Sequence, residues 1–458
     1  MTASPQPNTA LQRFISNHGL MLDVVARSHC QQATINGDLD VRTTKSTVSN
    51  WCSGRRRPKG RTAEYLAEAL GSLTGLVVTL EDIGYGSEQT QEPPTLAPDP
   101  IAATSDLGRA LMDTSRRNFL QQAVYVSAAL ALPLHYDHEA VARTLRARQA
   151  GARIGRAEVA AVRQTIRAFR SADEQLGGGH GLAAATFYLT DAATPILRGR
   201  FSDETVRTDA YNAVAELAYL LAWKHHDLAQ EGAAQRYYML GYQLATEADY
   251  DGHSAWMLRA LAHQALNLKK PDLTVDLAEE SLRRSAGHVD SQTRALLLIT
   301  SARAYGATKQ GTKAAAALRA AEDALSNTGD PVADYALAVG PVAATISSHT
   351  GKTLSELGDH GGAERHRRTA LAGRDPDEFR RIHALTMSEL AGTLDKLGRM
   401  DEAVAAWNSS LDLMDGVSSA RNTASIKSIG RTMARYQARG VRGSAALSEK
   451  ARAVLLAA

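Results

Sequence analysis

Lys45-Ser46-Thr47-Val48-Ser49-Asn50-Trp51 is a run of hydrogen-bonding side chains with only Val48 and Trp51, three apart, to form an apolar stripe. That pattern predicts a short helix that turns its polar groups outward. Gly54 stops it, Arg55-Arg56-Arg57-Pro58-Lys59 follows as a dense cationic loop, and Tyr65, Leu66 and Leu70 begin a second amphipathic helix. Five of the seven residues from Arg55 to Arg61 are basic, so positive charge is concentrated here.

Helix, glycine stop, basic loop and second helix in this order fit a helix-turn-helix better than a surface helix beside a solvated charge run. In such a unit the helix from Thr44 to Trp51 would lie in the major groove of double-stranded DNA. Thr44, Lys45, Ser46, Thr47, Ser49 and Asn50 are the candidate contacts to bases or phosphates. Asparagine can pair bidentately with adenine and lysine can bond guanine. Arg55, Arg56, Arg57 and Lys59 would neutralise phosphates and set register.

Outward from this stretch, the 458 residues are 44% hydrophobic and 22% charged, enough for a large core. The formal net charge of +3 is too small for a protein that coats nucleic acid, so the local arginines carry the argument. Aromatics are only 5% and alanine is abundant, which suits close helix-on-helix packing better than sheets. Two cysteines, Cys30 and Cys52, do not make a disulfide-stapled module and suit a reducing cytosol. Both fall in the expected DNA-binding domain, where oxidation near the polar helix would bear on binding. No apolar run reaches the roughly 20 residues that span a bilayer.

Gln89 to Pro100 holds four prolines without periodicity and reads as an extended linker. The expected organisation is a disordered 1–10, a helix-turn-helix DNA-binding domain over 11–86, a Pro-rich linker over 87–105, and a helical repeat domain over 106–458. In the clearest repeat Leu390, Ala391 and Leu394 lie on one helix, Leu397-Gly398 makes the turn, and Ala403, Trp407, Ser410 and Leu411 lie on the next. Ala234, Thr274 and Ala314 are 40 residues apart, as are Ala363 and Ala403, while Ala314 and Ala363 are 49 apart. A tetratricopeptide repeat is about 34 residues, so these units are tetratricopeptide-like with longer parts. The fold class expected is therefore all-α, a helix-turn-helix domain joined to an α-solenoid whose concave groove can hold a ligand.

Trp51-Cys52-Ser53-Gly54-Arg55-Arg56-Arg57-Pro58 resembles the W-x-x-G-x-R-x-P signature that follows the recognition helix of XRE/Cro-type regulators. The segment from His29 to Arg42 is longer than their usual tight turn, and is similar to an actinobacterial subgroup with an extended inter-helix loop. Phe169 to His180, Arg198 to Ser202 and Ala234 to Tyr238 are similar to phrases of the helix-turn-helix/tetratricopeptide regulators of the NsdA-like group. The resemblance implies a pleiotropic transcription regulator, commonly a repressor of development or specialised metabolism.

Several motifs carry less. Thr350-Gly351-Lys352-Thr353 ends like a phosphate-binding loop, but the required earlier glycine is Ile346. Gly177-Gly178-Gly179-His180 reads as a flexible helix connection. Ser115-Arg116-Arg117-Asn118-Phe119-Leu120 imitates an export signal at the wrong place, and reads as the first helix of the second domain. His225 and His263 either pack between helices or line the groove. The histidines lack zinc spacing and no nucleophile–base–acid set can be drawn, so no metal, cofactor or catalytic residue is expected.

The expected protein is a cytoplasmic, nucleoid-associated regulator, a homodimer on a pseudo-palindromic operator, with no membrane partner. A peptide, small molecule or protein would occupy its groove. The rival reading is a tetratricopeptide-like adaptor or scaffold whose DNA binding is secondary.

Overall fold

A computed structural model describes residues 7–457 except 37, 39, 59, 60, 75–77, 79, 81, 86–95, 98, 113–152, 249, 328 and 330; the side chains of 109–112 and 457 are also left out. The chain divides into two units, Met1–Glu92 and Pro93–Ala458. Both are helical, and among the described residues the strands are one parallel pair, Arg153–Ile154 beside Arg200–Phe201. No described helix is long and apolar enough to cross a membrane.

The first unit holds α1 (Thr9–Asn17), α2 (Leu22–Ile35), α3 (Lys45–Cys52) and α4 (Arg61–Thr74). Leu11, Val25, Val48, Leu66, Leu70 and Ile83 are fully buried at its centre. Two sequence expectations change here. Residues 7–10 are ordered, because Asn8 caps α1 by accepting from the Leu11 N–H at 3.0 Å and donates its own side chain to the Ile83 carbonyl at 2.8 Å. The segment from His29 is also not all loop: α2 continues to Ile35, burying Ser28, His29, Gln32 and Ala33, and the connection starts at Asn36. Those inward residues are polar or small, so the helix has little hydrophobic signature.

In the second unit, α5 (Pro100–Met112) begins inside the stretch expected to be linker. Asp99 accepts from the Ile101 and Ala102 N–H groups to start it, and Gln243 donates to the Ala97 carbonyl at 2.8 Å. The imitation export signal at 115–120 lies outside the described residues. Next come α6 (Arg156–Leu176) and α7 (Leu182–Tyr188), and then the helix pairs.

These pairs are α8 (Glu204–Asp227) with α9 (Glu231–Glu247), α10 (Asp251–Asn267) with α11 (Pro271–Arg284), and α12 (Ser291–Ala307) with α13 (Gly311–Ser326). They continue as α14 (Val342–Leu357) with α15 (His360–Ala372), and α16 (Arg380–Lys396) with α17 (Met400–Met414). A last described pair, α18 (Ala420–Gln437) and α19 (Ser444–Ala457), packs against α16 and α17.

Small residues make the pairs possible. Ala234, Thr274, Ala314, Ala363 and Ala403 are each fully buried, one in every second helix. Seven residues later come Gly241, Ser281, Ala321, Ala370 and Ser410, again buried and small. There the helices touch closely: Ser281 donates to the Ala255 carbonyl at 2.7 Å and Ser410 to the Ala384 carbonyl at 2.9 Å. The turns repeat with the same spacing, because Ala229, Lys269 and Lys309 are left-handed at φ 58 to 60°, and Gly358 and Gly398 take that place in the next two pairs. First helices are enclosed on nearly all sides; Ala295 to Ala304 of α12 is buried without a break.

The longer spacing between Ala314 and Ala363 is an insert between α13 and α14. It folds inward rather than looping out: Tyr335 stacks on His253 with ring centroids 4.4 Å apart. Apolar packing falls into two blocks, one from α5 to α14 and another from α16 to α19.

Polar groups join the blocks. Arg381 of α16, about 1% exposed, binds Asp173 at 2.9 Å and Glu174 at 2.9 Å on α6, and Asp227 at 3.0 Å at the end of α8. Lys224 adds a second cation 3.2 Å from Asp173. Burial pushes Asp227 up, but Arg381, Arg421 and the Gly178 N–H hold its carboxyl below the usual range. The Gly177-Gly178-Gly179 connection is not the flexible link expected. Gly178 donates to Asp227 at 3.0 Å and Gly179 to the Ser418 carbonyl at 3.2 Å. A Cβ on Gly177, at φ 88°, would sit 2.3 Å from the Ser418 oxygen. Those glycines are there for close approach.

Replacing Arg381 removes the cation that Asp173, Glu174 and Asp227 share. Arg381→Ala should lower the unfolding free energy by about 3–5 kcal/mol in denaturant titrations, with exposed Arg319→Ala near zero. Equal effects would mean that the network holds nothing together. A second outcome concerns acid. Burial lowers His225 to about 4 and His253 to about 3, and carries His263 and His349 well below their ordinary value. An imidazole depressed on folding adds stability that is complete above the unfolded value near 6.5 and is lost as pH falls toward the folded one. Each contributes a slope of up to about 1.4 kcal/mol per pH unit in that window. Glu216, raised by burial to about 7, and Glu174, raised likewise, oppose this over part of the range. The histidines outnumber them, so stability should fall between pH 6.5 and 4, and His253→Gln should flatten the fall. A flat profile in the parent protein would show that these histidines are hydrated.

Candidate nucleic-acid interface

The polar helix expected from the sequence is α3, and its local chemistry explains its eight residues. Thr44 is extended and caps it, accepting from the Thr47 N–H while the Thr47 hydroxyl accepts from the Thr44 N–H, both at 3.3 Å. This reciprocal box fixes the first turn. Val48 and Trp51 are buried, and Gly54, left-handed at φ 71°, ends the helix.

The other end is held from outside the helix. The Cys52 carbonyl accepts from the Asn8 N–H at 3.0 Å and from Gln12 at 2.9 Å, and the Tyr85 hydroxyl donates to the Trp51 carbonyl at 3.2 Å. Carbonyls that would otherwise face solvent at a C-terminus are thus taken by α1 and by the end of the unit. His29 holds the inner side. Its ring lies 5.1 Å from Trp51, its Nε2 donates to the Thr62 carbonyl at 3.0 Å, and its Nδ1 therefore accepts from the Thr43 hydroxyl at 2.9 Å. Burial lowers its pKa against the pull of the Thr62 carbonyl, so the ring is neutral. One imidazole thus contacts α3, the start of α4 and the residue before the cap.

Held in this way, α3 turns Lys45, Ser46 and Ser49 to solvent, with Asn50 and Thr47 half-buried beside them. Arg55, Arg56 and Arg57 are exposed directly after Gly54, and the Arg56 N–H returns to the Asn50 carbonyl at 3.2 Å. The structure therefore brings most of the sequence-read residues onto one short segment. The cap engages three of them, because the Thr44 hydroxyl bonds that of Thr47 at 3.0 Å and that of exposed Ser46 at 2.8 Å. Lys59 lies outside the described residues.

Sequence reasoning missed the supports Asn8, Gln12, His29, Thr43 and Tyr85, and also exposed Arg42, two residues before the cap. Only Arg42 carried a local signal, its charge beside a capping threonine. Of the two cysteines, Cys52 is buried, which pushes its thiol up and away from thiolate, while the Cys30 sulfur accepts from the Thr43 N–H at 3.2 Å.

A family model described as the SP15 N-terminal domain matches residues 11–86, within the first unit. Comparison with curated proteins finds no match.

Loss of the capping box should loosen α3 without disturbing the rest of the unit. Thr44→Ala should cost about 1 kcal/mol, seen as roughly fivefold faster hydrogen exchange across 45–50 in the full chain. Unchanged protection there would mean that Trp51 and His29 alone fix the helix.

Proposed function

We propose that this chain is a sequence-specific DNA-binding transcriptional regulator that acts as a homodimer on a pseudo-palindromic operator and represses its targets. The carrying observation is α3. It is anchored at its cap, at Trp51 and at its last carbonyls, yet presents Lys45, Ser46 and Ser49 and is followed by three exposed arginines. A rigid, short, polar helix with cations at its exit suits base contacts from the helix and phosphate contacts from Arg55, Arg56 and Arg57.

One such helix covers one half-site, which is the reason for proposing a dimer. In this reading the first unit is a helix-turn-helix and the second a tetratricopeptide-like sensor that also holds the dimer together. Its place is the cytoplasm, on the nucleoid.

Genome-wide DNA-affinity sequencing with the full chain tests the reading. The parent should recover one shared, near-palindromic motif, and an Arg55→Ala/Arg56→Ala/Arg57→Ala protein should not. At that motif the slope of log affinity against log salt should shrink by about 0.9 for each phosphate that the variant no longer neutralises. No motif, or equal recovery by both proteins, would move the function to the scaffold reading.

A further inference from the structure

A chamber lies where the two apolar blocks of the second unit meet. Its walls come from the α6, α8, α9, α10, α14, α16 and α18 helices and from the insert residues Ala338 and Val339. About 60 Å³ is free inside, room for roughly four waters or one small oxyanion. The charge is lopsided: Arg259, Lys352, Arg374, Arg381 and Arg421 line it against one carboxylate, Glu174.

Two of these cations are matched. Arg381 has its three carboxylates, and Lys352 binds Glu389 at 2.9 Å. The other three have no close carboxylate of their own. Among the described residues no carboxylate lies within 4.0 Å of Arg259 or Arg374, and Arg421 reaches only Asp227, at 4.0 Å and already held by Arg381. Arg374 is 6% exposed; one nitrogen donates to Thr345 at 2.9 Å, while its Nε and one Nη have no partner. Nη1 of Arg421 and Nδ1 of buried His349 are also without hydrogen-bond partners. Arg259 lies over the Trp256 ring at 4.4 Å and donates to the Leu296 carbonyl at 3.2 Å. Burying guanidinium groups without carboxylates is strongly unfavourable unless something else brings negative charge.

We propose that this chamber is a binding site for a small phosphate-bearing molecule, whose dianionic phosphate takes the open N–H donors of Arg374 and Arg421 with Arg259 behind them. Planar guanidinium forks match phosphate oxygens in geometry as well as charge. Arg421, 23% exposed, and half-buried Trp223 are parts of the wall that solvent reaches, and the Trp223 and Tyr219 rings flank the place where an organic portion would extend. The site does not depend on the DNA-binding reading, because every residue in it belongs to the second unit.

The test is calorimetric titration and thermal melting of the full chain with inorganic phosphate and a sugar monophosphate, against succinate and chloride at matched ionic strength. Phosphate and the ester should bind saturably and raise the melting temperature, and succinate and chloride should not. Arg374→Met and Arg421→Met should each weaken binding about tenfold or more. Arg374→Met should also leave the ligand-free protein as stable as the parent or more so, because it removes an unmatched buried charge. That separates loss of a site from loss of the fold. The Arg55→Ala/Arg56→Ala/Arg57→Ala protein should bind phosphate normally. Three results would each overturn the proposal: no saturable binding at millimolar phosphate, binding that survives both chamber variants, or preference for succinate. Arg374→Met unfolding the ligand-free protein would instead make that arginine structural and equally refute its role.

Discussion

Arg381 and the carboxylates around it are the constraint on which the second unit depends. A stack of helix pairs is held by neighbours alone, so nothing in the repeat itself decides where the stack ends or what its inner side meets. Here Asp173 and Arg381, 208 residues apart, fix α6 against α16 across the inside of the stack. Asp227 brings in the end of α8, and Gly177 to Gly179 let the backbone reach Ser418 at the start of the last pair. Lys224 stands beside the three acids as a second cation, and that partial balance is what makes burial tolerable. Two apolar blocks, each with its own core, become one unit through this seam.

The repeats are legible in the sequence because their signal is local and periodic. A small residue is required wherever two helices touch, and Ala234, Thr274, Ala314, Ala363 and Ala403 mark those places with a spacing that the turn residues Ala229, Lys269, Lys309, Gly358 and Gly398 repeat. The seam is not legible for the complementary reason. Asp173, Asp227 and Arg381 look like surface charges on three unrelated helices, and only the curvature of the whole stack brings them together. The three glycines suggest freedom in the sequence, whereas in the fold they mark close approach. The insert with Tyr335 shows as nine extra residues, but length alone does not say that a loop folds inward.

In the first unit, helix, stop and cationic loop are readable because capping and glycine chemistry act within a few residues. What holds α3 still is hidden. Asn8 and Tyr85 sit at the two ends of the unit, and Gln12 and His29 are polar residues on helices whose neighbours bury. A buried neutral histidine that bonds Thr43 and Thr62 has no periodic signature. The consequence for the exposed face of α3 is physical: a helix whose last carbonyls are taken by distant groups cannot lengthen or rotate without breaking them. Exposed Ser46 and Ser49 therefore keep a fixed spacing relative to the arginines beyond Gly54.

Arg381 and Arg374 show the same side chain under opposite conditions, within one seam. The first is surrounded by more negative charge than it needs, and the second keeps two nitrogens without partners in a place that solvent barely enters. Folding stability explains the first and argues against the second, since an apolar residue of similar size at 374 would fill the wall without an electrostatic penalty. Arg259, Arg374 and Arg421 come from α10, the residues just after α15, and α18, so the chamber's cations belong to both blocks that Arg381 draws together. In the proposed site a phosphate would bridge cations of both blocks, and a ligand shifts a conformational equilibrium only where it binds one state better than another.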